Sequence, residues 1–331
     1  MQQVQYLTVE ADHQGRRLDN FLIGRFNNLP KSLLYRIIRR GEVRVNKRRV
    51  KQDYRLQTGD NIRIPPLQIA SSGPPVIPQK VLDTVKQGIL YLDDHVVVVN
   101  KPSGLAVHSG SGLAYGLIEV MQRLFPDRKP QLVHRLDRET SGCLLLAFNM
   151  PALMELNRQF KEREISKVYL ALLHGHLETS TTVDLPLSVA TKQGERHVYP
   201  NLDQGGKPSR TDFERLVSVR EATLVRAHPL TGRTHQIRVH AVAMGHALLG
   251  DKRYGERGDN LRMRHQYGLR RLFLHAESVS WVHPKSHETV VVRAPLDSEL
   301  ENVLLKLGTR HGDEKMKKIL IKLKSGGKDV G

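Results

Sequence analysis

The stretch 134-HRLDRETSG-142 decides how the middle of this chain is read. Asp137 lies between Arg135 and Arg138, on a segment that turns through Thr140-Ser141-Gly142 into the apolar run Leu144 to Phe148. A short apolar run behind a turn reads as a buried strand. Loops held by a rigid sheet are where chemistry concentrates. The flanking cations favour the ionised carboxylate, which suits attack on carbon or removal of a proton. The same spacing also fits an Asp–Arg pair that only ties a loop to a sheet.

Upstream, Ile89–Tyr91 and Val96–Val99 are apolar and β-branched around a turn at Asp93-Asp94, so both read as buried strands. They end in 100-NKPSG-104, where Pro102 and Gly104 predict a sharp turn, by itself a weak signal. Helices are expected over Tyr115–Phe125 and Pro151–Arg163. Strands are expected at Val168–Leu173, Thr211–Val217, Ala222–His228, Leu272–Leu274 and Val290–Arg293. Around the first of these strands, Lys167, Tyr169 and Ala171 share one side. Tyr169 can pack in the core or offer a flat face to a base. The segment 231-TGRTHQIRVHAVAMGH-246 predicts a helix capped by Thr234 and ended by Gly245, with Ile237, Ala241 and Met244 on one side. A strand over Thr234–His240 is the minor alternative. Arg238 on it can reach a carboxylate or a phosphate, or simply face solvent. Helices and strands do not alternate, so the fold class is α+β with a mixed or antiparallel sheet.

Outside this domain, expected over residues 86–307, the composition changes. Residues 67–85 contain SSGPPVIP and read as a semi-stiff linker. Residues 308–331 form a basic tail with Arg310 and six lysines, in which Met316, Ile319, Leu320 and Leu323 have helical spacing. Residues 1–66 form a small α+β module. A helix is expected around Leu18, Phe21, Leu22 and Phe26, and a second opens at Pro30 and Ser32 and closes at Gly41. A short strand Val43–Val45, a turn at Asn46-Lys47, and a strand Asn61–Ile64 after Gly59-Asp60 follow. This module carries 14 Lys and Arg against 6 Asp and Glu. Lys31, Arg36, Arg39, Arg40, Lys47, Arg48 and Arg49 stand where helix face and hairpin leave them outside. A charge run is often only a solvated face, but a one-signed excess on a compact element favours RNA.

The whole chain of 331 residues has a net charge of +18, which speaks for a nucleic-acid partner over a membrane surface. No apolar run has the length of a spanning helix, and Met1–Glu10 lacks a signal-peptide core. Cys143 is the only cysteine, so no internal disulfide forms and no multi-cysteine zinc site exists. No metal site is expected, and the cytoplasm is the expected compartment.

The stretch RRLDNFLIGRFNNLPKSLLYRIIRRGEVRVNKRRVKQDYRLQTGDNIRIP resembles the S4 RNA-binding domain, which presents two helices and a small sheet to structured RNA. Together, HRLDRETSG, TGRTHQIRVHAVAMGH, SKVYLALLHGH and NKPSGLAVH resemble the catalytic domain of the RluA family of pseudouridine synthases over nearly all of Ile89–Pro295. That resemblance implies a reaction that breaks the N-glycosidic bond of uridine, turns the uracil and rejoins it through C5, with no cofactor. It implies that Asp137 is the catalytic carboxylate, that Arg238 pairs with it and that Tyr169 packs on the uracil. Arg135 then helps displace the base from its stack, and His134 and Leu274 belong to the substrate-binding set, Leu274 as the wall that closes the pocket. With an S4 module in front, the resemblance points to the branch acting on 23S rRNA or a large-subunit precursor, as a monomer. A synthase for tRNA, or for both tRNA and rRNA, and a non-catalytic ribosome-assembly factor are the alternatives; a uridine glycosidase lacks its usual pair of carboxylates.

Overall fold

The computed structural model describes residues 3–26, 29, 31–67, 75–109, 113–192, 195–202, 205–219, 221–310, 318–319, 321 and 329–330. It divides into two compact units, Met1–Pro75 and Val76–Gly331.

The first unit packs α1 (Leu18–Arg25) and α2 (Lys31–Arg39) on a sheet of β1 (Gln5–Thr8), β2 (Arg44–Val45), β3 (Arg48–Arg49) and β4 (Asn61–Ile64), in the order β1-β4-β2-β3. Leu18, Leu22, Leu34, Ile37, Ile62 and Ile64 are buried in its core. Gly41 ends α2 in the left-handed region at φ 72°, as its sequence position predicts. Asn46 and Lys47 both have positive φ, which is the hairpin turn whose twist matches its strands. The Asn46 side chain locks this turn by donating to Asp60 Oδ1 at 2.7 Å and accepting the Asn61 N–H at 2.9 Å. Arg36, Arg39, Arg40, Lys47, Arg48 and Arg49 are exposed. The Lys31 side chain and Pro30 lie outside the described residues.

The second unit begins with α3 (Gln79–Gln87), followed by β5 (Ile89–Leu92), β6 (Val96–Lys101), α4 (Leu117–Leu124), β7 (Gln131–Leu132), β8 (Ser141–Ala147), α5 (Met150–Glu162) and β9 (Ser166–His174). Next come β10 (Thr181–Asp184), the hairpin β11 (Leu187–Lys192) and β12 (Glu195–Pro200), β13 (Arg210–Val219), β14 (Ala222–Pro229), α6 (Gln236–Ala243) and α7 (Arg257–Tyr267). The chain finishes with β15 (Leu274–Val282), β16 (Thr289–Arg293), α8 (Ser298–Arg310) and β17 (Asp329–Val330). One large sheet runs β10-β13-β14-β9-β15-β8-β6-β5. Its pairings are antiparallel except β8 with β15. The first half of β15 lies beside β8, and its second half turns to pair β16. Val96–Val99 and Leu144–Ala147 are fully buried, which is why both read as continuous apolar runs. No helix among the described residues is long and apolar enough to cross a membrane.

Several elements depart from what the sequence predicts. Residues 79–85, read as the end of a linker, belong to α3, because Val81, Leu82 and Val85 have helical spacing and pack on the main core. The expected strand Leu272–Leu274 starts at Leu274 instead and continues to Val282. Its polar residues hid it: buried His275 bonds Ser141 Oγ at 2.8 Å, and Glu277 takes a two-pronged contact from Arg226 at 2.9 and 3.0 Å. Helix α8 runs to Arg310, into the stretch read as tail. Ile319 packs on the second core cluster, while Met316, Leu320 and Leu323 lie outside the described residues.

Gly142 sits where β8 meets β15, at φ 106°. A Cβ there would overlap the backbone of Ala276, including its carbonyl oxygen. Gly142→Ala is therefore expected to destabilise the protein by more than about 1 kcal/mol, through both strain and the parted strands. Denaturant unfolding measures this, and a variant as stable as wild type refutes it.

Candidate active site

Asp137 is held by a clamp that the sequence only hinted at. The turn Pro102–Leu105 and the loop residues Arg138–Glu139 are laced together. Gly104 N–H donates to Arg138 carbonyl at 2.8 Å, Ser103 Oγ to Glu139 carbonyl at 2.7 Å, and Arg138 Nε back to Gly104 carbonyl at 2.9 Å. Lys101, fully buried, closes the clamp. Its ammonium has three donors, and three carbonyls meet them: Pro102 and Leu105 at 2.9 Å and Arg138 at 3.1 Å. Burial and the Arg271 cation push its pKa down to about 7, while Asp137 pulls the other way. The weak NKPSG signal therefore marks the support of the loop.

Among the described residues, the ion-pair partners of Asp137 within 4 Å are not the flanking arginines. Arg138 turns to Gly104, and Arg135 is exposed and lines the cleft. The partners come from further along the chain. Arg238 Nη1 approaches Asp137 Oδ2 at 3.9 Å, and His235 Nε2 approaches the same oxygen at 3.8 Å. Both distances exceed a hydrogen bond. The Asp137 side chain is 20% exposed.

Arg238 has a closer partner that sequence reasoning missed. Its Nε and Nη2 each donate to Asp251 at 2.7 Å, a two-pronged pair buried on both sides. Burial alone would raise the Asp251 pKa. The Arg238 fork and the Arg253 and Tyr254 N–H donors hold it below its ordinary value. This fork fixes two guanidinium nitrogens and leaves Nη1 for Asp137. Tyr254 lies under the same guanidinium, 5.0 Å from carbon to ring centre. The segment 250-GDKRYG-255 carries both partners; one acid within a basic stretch was the available signal.

Helix α6 forms as expected, but Thr234 is not its cap. His235 takes that position in the left-handed region, at φ 54° and ψ 18°, without a side-chain capping bond. Gly245 follows the helix at φ 81°. A cleft of about 730 Å³ opens over this region and is lined by Arg135, Asp137, Tyr169, His235, Arg238 and Leu274, among others. Tyr169 and Leu274 are buried walls. Burial, reinforced by Asp137, raises the Tyr169 phenol and keeps it protonated. His134 also borders the cleft, but its Nε2 accepts the Leu145 N–H at 3.0 Å and its ring leans on Phe160 at 5.0 Å. Burial lowers its pKa to about 3, so the ring is a neutral strut for β8.

Residues 95–243 match the RNA pseudouridylate synthase family, and residues 16–62 match the S4 domain. The chain is 46% identical to a Vibrio cholerae protein named Ribosomal large subunit pseudouridine synthase C, over 92% of this chain and 97% of that one. A Haemophilus ducreyi protein of the same name is 46% identical over 92% and 96% of the two chains. Among solved structures, Human RNA Pseudouridylate Synthase Domain Containing 1 matches with a TM-score of 0.54 and 29% identity, over 73% of this chain and 96% of that one. Human RNA Pseudouridylate Synthase Domain Containing 4 matches with a TM-score of 0.57 and 25% identity, over 69% and 95%.

Proposed function

From the premise that this chain belongs to the RNA pseudouridylate synthase family, we propose that it isomerises uridine to pseudouridine in 23S rRNA, with Asp137 as the reacting carboxylate. The substrate reading is carried by near full-length identity to relatives named for the large ribosomal subunit. The site reading is supported by one convergence: Asp137, Tyr169, Arg238 and Leu274, spread over 137 positions of sequence, border one cleft.

The reaction exchanges one bond for another. The bond from ribose C1′ to uracil N1 breaks, and a bond from C1′ to C5 forms. The proton on C5 leaves, and N1 ends with a proton, so atoms balance without an oxidant or an added group. The target must first leave its stack, at about a few kcal/mol. Arg135, an exposed residue of the cleft lining, is suited to help displace the base from its stack. Tyr169 and Leu274 then flank the loose uracil and keep it from diffusing away. Arg238 balances the Asp137 charge in this partly closed cleft. The N-terminal unit holds the RNA through its exposed basic face, and the protein works as a monomer in the cytoplasm.

Mapping pseudouridines in rRNA from cells with and without the gene tests the substrate. Loss of one or more 23S sites is expected, and an unchanged 23S map with altered tRNA overturns it. A second prediction concerns Arg39, Arg40 and Arg48, exposed on the first unit. Replacing all three with Ala is expected to weaken rRNA binding and lower the salt slope by about 2 to 3 log units per log of salt, near one for each phosphate no longer neutralised. An unchanged slope removes this face from the RNA interface.

A further inference from the structure

We infer that His235 is a positioning residue that donates a hydrogen bond to Asp137, in a tautomer imposed by Tyr254. The inference rests on Asp137 being the reacting carboxylate. His235 Nδ1 lies 2.8 Å from the Tyr254 hydroxyl, and the opposite nitrogen, Nε2, is the one facing Asp137. The Tyr254 oxygen already accepts the Val198 N–H at 3.3 Å. A phenol has a single proton. Given to Nδ1, it leaves the neutral imidazole with its own proton on Nε2, on the side of Asp137.

The surroundings support the neutral ring. The groups facing it are Asp137 from the loop, Arg238 from α6, and Asp251, Arg253 and Tyr254 from the segment after α6. Burial lowers its pKa; Asp137 and Asp251 oppose that, and Arg238 and Arg253 reinforce it. Histidine enters the left-handed region more readily than most residues other than glycine, so φ 54° is compatible with this placement without itself marking it. Closing the 3.8 Å gap to hydrogen-bond range needs a shift of about 1 Å, and catalytic contacts commonly tighten only when substrate binds. His235 and Arg238 both come nearest to Asp137 at Oδ2, which leaves Oδ1 for the chemistry.

Three substitutions separate this role from a backbone role. Gln places an amide donor near the Nε2 position but has no liking for left-handed φ. Asn tolerates left-handed φ but cannot reach as far, and Ala has neither property. With tritium release from RNA labelled at uridine C5 as the assay, His235→Ala and His235→Asn are expected to lower kcat about 10- to 100-fold with KM little changed. His235→Gln should lose less than either. Asn outperforming Gln overturns the inference in favour of a backbone role. Nitrogen NMR of the full chain labelled at histidine supplies a reading free of folding artefacts. The Nε2–H tautomer is expected for His235 in wild type and its loss in Tyr254→Phe; an Nδ1–H tautomer in wild type overturns the proposal. If wild type itself releases no tritium from any RNA, the functional reading fails, and the NMR result still judges the tautomer.

Discussion

Asp137→Asn is expected to bind rRNA as wild type does and to release tritium from C5-labelled uridine at least about a thousandfold more slowly, the scale of losing a group that forms a bond or moves a proton. Asn keeps the shape and can still receive the His235 and Arg238 donors, so the fold should be undisturbed. What it lacks is the negative oxygen. A charge loss this local separates chemistry from binding, because the basic face proposed to hold RNA belongs to the other compact unit. A variant that turns over at even a tenth of the wild-type rate removes Asp137 from the reaction. A variant that no longer binds RNA would instead make it a binding residue.

The second large effect is expected at Asp251. It is fully buried, and Arg238 depends on it for two of its hydrogen bonds. Removing one partner of a buried ion pair strands the other charge, so Asp251→Ala should cost about 3–5 kcal/mol of stability. Arg238 should swing away from Asp137, and activity should fall with it. The double change Asp251→Leu with Arg238→Met is the informative control. Buried ion pairs are often replaced by apolar ones at little cost, so stability should largely return while activity stays low. Denaturant unfolding and tritium release on the same samples decide it. Recovery of both would make the pair purely structural. The sign with pH follows from the depressed Asp251 pKa. Its contribution is present above the ordinary carboxylate range and is lost as pH falls through the lower value it has in the fold.

Much of the fold could be read where one physical signal dominated. Val96–Val99 and Leu144–Ala147 are buried on both faces, so an unbroken apolar run was enough. The strand Asn61–Ile64 and the turn before β3 were written in Gly, Asp and Asn at positions that need their backbone freedom. Helix α7 was missed because only Met263 and Tyr267 of its eleven residues are buried, which leaves almost no periodic face. Strand β15 was misplaced because its buried His275 and Glu277 look like surface residues until Ser141 and Arg226 are seen beside them. The site shows the same division. Asp137, Arg238, Tyr169 and Leu274 were named from their motifs, but His235, Asp251 and Tyr254 were not. Arg135 and Arg138 are its neighbours in sequence, whereas His235 and Arg238 are its neighbours in space. Asp251 and Tyr254 matter only because the chain folds back after α6, and no local pattern encodes that return.

The pairing of β8 with β15 has a consequence for synthesis. Ser141 and His275, which bond across that seam, are 134 residues apart. A growing chain can complete its S4 unit early, since every strand of that sheet is made by Ile64. The seam beside the Asp137 loop must wait until β15 has left the exit tunnel. At about 5–20 residues per second, that delay is roughly 10–40 s. During it, the nascent polypeptide has all the strands of its S4 unit and an incomplete Asp137 site, so a translation product cut short before Leu274 would carry the first without the second.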